Sequence, residues 1–341
     1  MAFDADRLAK ELQGVIGENS TETEPTHWLD TGYLPLNKII SGDPARGLPG
    51  GRIGEIAGPS ASGKTLLATL AMIAAQRAGG IAIFVDWERA FNATLARTLG
   101  LNTDFPYFVY KRSDTWEEGN TVAMKTAEAL REKKLIHPDA PIVMVCDSIA
   151  AAIPQSMLYD DKGNRKPIDK YTMNDTTALA RVTSTTLKAI NQYVGEFNIT
   201  AIYLNQIRTK PGVTYGDPRT TPGGGAMEFY ASWRLFTGRK KIMSGTGADK
   251  EFAGNLIGME TVKNKITRPF QEVDLRLMYD EDGRAVFDFT TGYLEQLVAM
   301  KKIEQKGSYL IWEGKQYFKS VLAKKIDDEG SQAELIKMYL S

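Results

Sequence analysis

The chain has 341 residues, with 42 Lys and Arg against 42 Asp and Glu, for a formal net charge of +0. That length and a 43% hydrophobic content allow one large or two modest packed domains and exclude a wholly disordered chain, while the charge balance argues against a globally basic nucleic-acid coat and leaves local patches open. No run reaches the ~18 apolar residues of a membrane span, the start MAFDADRLAK has no apolar signal core, and Cys146 with His27 and His137 spells neither a disulfide nor a zinc site, so a cytoplasmic protein without a membrane partner is expected.

In chain order, Leu8, Leu12, Val15 and Ile16 recur at helical spacing and predict a short amphipathic helix over residues 3–16. So short a helix is marginal in water, and its apolar stripe is expected to dock, either on its own domain or on a neighbouring subunit. Residues 17–27 are polar and contain Pro25, as a linker does. From Arg52 to about Phe236, apolar runs such as IAIFVD and PIVMVCD alternate with longer helical stretches. Strands apolar on both faces and spaced by helices predict an α/β core with a mostly parallel sheet covered on both sides. Two stretches, 151–176 and 208–225, are too long and polar for simple connections, and both follow strands at the carboxyl edge where open α/β sheets bind ligands. A strand-rich segment runs to about Phe289, and the tail mixes helical runs with a hairpin at Glu313-Gly314. The expected division is an appendage over 1–27, a core over 28–289 and a small α+β domain over 290–341.

Gly58, Pro59, Ser60, Ala61, Ser62, Gly63, Lys64 and Thr65 spell G-x-x-x-x-G-K-[ST] between a predicted strand and a predicted helix. In that context backbone N–H groups curl round a β-phosphate, Lys64 reaches the β/γ oxygens and Thr65 can ligate Mg²⁺, so ATP and Mg²⁺ are expected. The metal also needs an acid at the end of an apolar strand; Asp147 supplies it, with a helix N-cap as its alternative role. Hydrolysis further requires a group that orients or deprotonates water. Glu88 is the best placed, with Asp86 as a rival because residues two apart share a strand face.

Further segments follow in order: Phe84 to Glu88 (FVDWE), Val143 to Ser148 (VMVCDS), Asn205 to Arg208 (NQIR), Thr220 to Arg234 (TTPGGGAMEFYASWR) and Val262 to Ile266 (VKNKI). On these the chain resembles the bacterial RecA-type recombinases over nearly its whole length. The resemblance implies a RecA-type P-loop core in a DNA-dependent ATPase that polymerises as a helical filament on single-stranded DNA and exchanges it into homologous duplex DNA. It implies that Glu88 activates water and that Gln206 links the γ-phosphate to two DNA-binding loops, 151–176 and 208–225. It further implies that Lys263 and Lys265 reach the ATP of the adjacent subunit, that Phe229 lies at the interface and that the N-terminal helix docks on a neighbour.

The second loop agrees on physical grounds, since Arg208, Lys210 and Arg219 stand against Asp217, beside Tyr215. Its consecutive glycines, Gly223, Gly224 and Gly225, permit close approach to a phosphate backbone. In the first loop, longer than in typical relatives, Lys162, Arg165, Lys166 and Arg181 are candidates for DNA contact. Leu95 stands where the family often has an adenine-stacking Tyr, and Arg219 where an acid is common. The end AELIKMYLS lacks the family's acidic tail, which predicts easier loading on duplex; together these departures fit a divergent, phage-encoded member. The alternatives are a RecA-fold nucleotide switch or loader and a hexameric helicase. Glu88 argues against the first, and the docking helix with the Lys263/Lys265 pair favours an open filament over a ring.

Overall fold

The computed structural model describes residues 5–16, 24–170, 177–210, 212, 216–245, 249–280 and 282–341. Helix α1 (Ala5–Ile16) leaves Leu8 and Leu12 exposed. Strands β1 (Trp28–Leu29) and β2 (Leu48–Pro49) pair antiparallel around α2 (Leu34–Ser41), a helix begun by Pro35 and ended by Gly42 in the left-handed region.

The core then alternates as its sequence periodicity predicts: β3 (Arg52–Gly58), α3 (Lys64–Arg77), β4 (Ile81–Asp86), α4 (Ala93–Thr98), β5 (Phe108–Arg112), α5 (Trp116–Glu132) and β6 (Ile142–Asp147). A short α6 (Gln155–Leu158) interrupts the first long loop before α7 (Ala178–Glu196) and β7 (Ile199–Gln206). Within the second loop β8 (Arg208–Thr209) pairs with β9 (Arg219–Thr220), and α8 (Ala226–Tyr230) follows. The long β10 (Trp233–Ser244) and β11 (Glu251–Asn264), with β12 (Glu272–Tyr279) and β13 (Ala285–Phe287), extend the sheet. Its nine strands run β13-β12-β11-β10-β3-β7-β6-β4-β5, parallel from β10 to β5 and antiparallel beyond β10.

Period-two alternation explains why the central strands read as unbroken apolar runs. Ala82, Phe84, Val143, Val145, Ile202 and Leu204 join one buried cluster with α2 and α3; Ile83, Val85, Met144, Cys146, Ala201 and Tyr203 join the other, with α5 and α7. Each Val, Ile, Leu, Phe or Met among them contributes roughly 1.5–3 kcal/mol by leaving water. The tail consists of α9 (Phe289–Ala299), the sheet β14 (Gln305–Lys306), β15 (Tyr309–Trp312) and β16 (Lys315–Phe318), α10 (Lys319–Glu329) and α11 (Gln332–Leu340). Glu313 and Gly314 turn β15 into β16 with φ of 50° and 75°, the primed-turn conformation of a two-residue hairpin. Leu322, Ile326, Leu335 and Tyr339 join the same apolar cluster as α3. Among the described residues no helix is long and apolar enough to cross a membrane.

The arrangement brings the carboxyl ends of β3, β4, β6 and β7 side by side. The phosphate loop, Glu88, Asp147 and Gln206 all leave the sheet there.

Candidate active site

The phosphate loop leaves β3 at Gly58, where an added Cβ would lie 2.2 Å from Thr237 Oγ1, and enters α3 through Gly63 at φ 94°. Ser62 Oγ and Thr237 Oγ1, 2.7 Å apart, fix the loop to β10. Lys64 folds back across the loop, donating to the Gly58 carbonyl at 3.1 Å and the Pro59 carbonyl at 2.8 Å. Burial holds its pKa below the usual lysine range, opposed by the nearby Asp147 and Glu88 carboxylates. A phosphate would replace those two carbonyls with a fully charged partner.

Thr65 Oγ1 donates to Asp147 Oδ2 at 3.0 Å, so the hydroxyl at the start of α3 and the acid ending β6 form one oxygen pair. Hard oxygen donors so placed suit Mg²⁺. Asp147 is buried at a strand end and its side chain caps no helix, so the N-cap alternative falls. Desolvation pushes its pKa up to about 6, eased by the Thr65 hydroxyl and reinforced by Glu88 and Asp86.

Glu88 lies just past β4, exposed, in the wall of a cavity of about 250 Å³ shared with the phosphate loop, Asp147 and Gln206. The Trp87 and Glu88 N–H groups donate to the Asp147 carbonyl at 2.7 and 3.2 Å and lock the β4 exit to β6. Its rival, Asp86, is buried and accepts from the Arg89 and Phe91 N–H groups at 2.6 and 3.3 Å and from Tyr110 Oη at 2.8 Å. Because β4 stops at Asp86, the alternation that tied the two acids to one face does not continue, and Asp86 instead builds the turn. Gln206 ends β7 in the same cavity, and the second loop starts at the next residues.

Lys263 and Lys265 are absent from that cavity's wall. Lys263 Nζ donates to the Glu228 and Phe229 carbonyls, the latter at 3.2 Å, and Lys265 Nζ to the Phe229 carbonyl at 2.9 Å. Both ammonium groups thus cap the negative end of α8, which carries Phe229 at 69% exposure, while Asn264 points the other way to the Ile39 and Ile40 carbonyls. Burial, Lys265 and Arg234 push the Lys263 pKa down to about 8.

Around the second loop, Arg208 and Lys210 are exposed, whereas Arg219 is committed. Its guanidinium donates to Asp217 at 2.9 Å and to Glu260 of β11 at 2.9 Å, and lies 4.7 Å from the Phe236 ring centroid. Gly223 and Gly224, at φ 91° and 70°, pack on Ile149 and Ala180, and Thr183 Oγ1 donates to the Gly223 carbonyl at 2.8 Å, so they seat the loop base on α7; Gly225 opens α8. Tyr215 lies outside the described residues. In the first loop Asp160 accepts from the Lys162 and Asn164 N–H groups at 2.9 and 2.8 Å, a turn that leaves Lys162 and Arg165 exposed; Lys166 Nζ donates to the Ser156 carbonyl at 2.7 Å. Arg181 is exposed on the first turn of α7, bonded to Thr177 Oγ1 at 3.1 Å. Residues 171–176 lie outside the described residues.

A family model described as the RecA N-terminal domain matches residues 13–283. The chain belongs to the RecA family. Proteins named RecA that are similar to it include that of Desulforapulum autotrophicum, 34% identical over 84% of this chain and 74% of its own length. That of Deinococcus radiodurans is 35% identical over 82% of this chain and 69% of its own length, and that of Lactococcus lactis subsp. cremoris MG1363 is 37% identical over 74% and 60%. This RecA-family chain is a DNA-dependent ATPase of strand exchange in recombination and repair, and no observation favours the switch or helicase alternatives. Proteins of the RecA family bind ATP with Mg²⁺ and form filaments on DNA.

Two features of this RecA-family site were missed in the sequence. Tyr279 of β12 lines the cavity wall; a Tyr at a strand end carries no distinguishing local signal. The commitment of Arg219 was invisible because Glu260 lies 41 residues away. Its charge being already neutralised, Arg219→Ala should leave the slope of log affinity for single-stranded DNA against log salt unchanged, while Arg208→Ala and Lys210→Ala each flatten it by about 0.7. Titration of binding between 50 and 300 mM salt (about that range) checks this.

Proposed function

We propose that ATP bound in the cavity between β3, β4, β6 and β7 gates the second loop, and that neighbouring subunits complete the site. The observation that carries this reading is the meeting in one cavity of Lys64, Asp147, Glu88 and Gln206, the last of these leading directly into the second loop. Thr65 and Asp147 would hold Mg²⁺, which would supply positive charge to offset that of the β- and γ-phosphate oxygens. Lys64 exchanges its loop carbonyls for those oxygens, and Glu88 orients the attacking water and takes up its proton. Lys263 and Lys265 of one subunit leave the end of α8 for the γ-phosphate of the next, so assembly and nucleotide binding favour each other. Gln206 contacts the γ-phosphate and orders residues 208–225 on DNA, and hydrolysis reverses this.

Residues 1–27 serve subunit docking, 28–289 the ATPase, and 290–341 form a smaller unit packed beside it. Arg208, Lys210 and Tyr215 face the DNA, with Gly223, Gly224 and Gly225 shaping the loop base and Arg181 at the rim of the first loop. Arg219 secures the loop to β11. Such work belongs in the cytoplasm of a bacterial cell or a phage-infected host.

Hydrolysis measured with and without single-stranded DNA tests the gating. Wild type should be stimulated by at least about tenfold, whereas Gln206→Ala should keep its DNA-free rate and lose the stimulation. A wild-type rate indifferent to DNA would sink the coupling.

A further inference from the structure

Beneath the second loop lie three buried polar side chains outside the nucleotide cavity. Glu55 on β3 and Asn205 on β7 are 0% exposed and Arg234 on β10 is 6% exposed, on three adjacent strands. Arg234 faces Glu55 in the β10–β3 register, and its Nε donates to Glu55 Oε2 at 2.5 Å. Asn205 Nδ2 donates to the other carboxylate oxygen at 2.8 Å and to the Pro222 carbonyl at 3.0 Å. Asn205 Oδ1 accepts from the Gln206 backbone N–H at 2.9 Å, and Arg234 Nη2 donates to Thr221 Oγ1 at 3.1 Å.

The amide of Asn205 therefore touches the residue at which the second loop departs and a residue at which it returns. Its orientation is forced. Rotated by half a turn, its oxygen would face the Glu55 carboxylate and the Pro222 carbonyl, and its NH₂ would face the Gln206 N–H, three mismatched pairs in place of three bonds. Glu55 anchors both donors three residues ahead of Gly58, the start of the phosphate loop. A buried ion pair adds little net stability over an apolar substitute, but once present it tolerates few geometries.

We infer that Glu55, Asn205 and Arg234 are positioning residues that fix both ends of the second loop relative to Gln206, so that a shift of Gln206 on the γ-phosphate reaches the loop's entry and exit together. This rests on the ATP-gating reading above. Glu55→Gln preserves shape but places an NH₂ against one of two donors, and Arg234→Lys keeps a cation for Glu55 while losing the fork that reaches Thr221.

The test is steady-state hydrolysis by the full chain, with and without single-stranded DNA, alongside thermal melting. In both variants the DNA-free rate and the KM for ATP should stay within about twofold of wild type, while the DNA-stimulated kcat falls by about tenfold. A merely structural role would lower both rates together, in step with the folded fraction, and would be relieved at lower temperature; that result overturns the inference. So does a stimulation ratio equal to wild type in both variants. A wild type that DNA does not stimulate defeats the gating reading itself, and is seen before any variant is measured.

Discussion

Glu88→Gln should lower ATP turnover by about 10²–10⁴-fold while leaving ATP affinity within about threefold. Affinity survives because the contacts that hold nucleotide belong to other residues: the loop from Gly58 to Thr65, Lys64 and the Thr65–Asp147 oxygen pair, on β3, α3 and β6. Turnover fails because glutamine keeps the size of Glu88 but cannot accept the proton of the attacking water. Asp86 cannot take over, since its oxygens already accept from Arg89, Phe91 and Tyr110. Single-turnover hydrolysis with a parallel binding titration separates the two effects. Full activity in Glu88→Gln would require another base and reopen the assignment.

Lys263→Ala combined with Lys265→Ala should abolish ATP-dependent assembly and lower DNA-stimulated hydrolysis by about 10²-fold, yet leave ATP binding by unassembled subunits unchanged. The lysines stand clear of their own cavity, so ATP contacts within the subunit survive their loss; what goes is the cap on α8 beside exposed Phe229 and the charge offered to a neighbour. A pH dependence follows. With burial, Lys265 and Arg234 holding the Lys263 pKa down to about 8, its charge is present below that pH and is lost above it. Assembly should therefore weaken as pH rises from about 7.5 to 9, and Lys263→Arg, whose guanidinium stays charged, should flatten that decline. Light scattering across this pH range reads both. A profile equally steep in Lys263→Arg would remove Lys263 as its source.

The α/β core was legible because its signal is local: IAIFVD and IVMVCD are apolar at every position up to their closing Asp, and alternation sends successive residues to the two covered faces. The phosphate loop was legible for the same reason, its chemistry lying within eight consecutive residues. Choosing between Asp86 and Glu88 required knowing that β4 ends between them. Arg219 counted as a free positive charge until Glu260 was placed against it. The Glu55–Asn205–Arg234 network spans separations of 150 and 179 residues, so no window of sequence contains it. Small α2 was passed over because its framing strands are two residues long and carry no periodicity.

Net neutrality fits this account once the filament is considered. Each subunit needs only a few contacts from residues such as Arg208 and Lys210, because repetition along the strand multiplies weak contacts through effective concentration. DNA binding by single subunits should accordingly be weak, and strong binding should require ATP. Electron microscopy of the full chain with long single-stranded DNA and a non-hydrolysable ATP analogue tests this most directly. The account predicts open helical filaments that are absent when nucleotide is withheld; closed rings, or subunits that stay unassembled on DNA with nucleotide present, would contradict it.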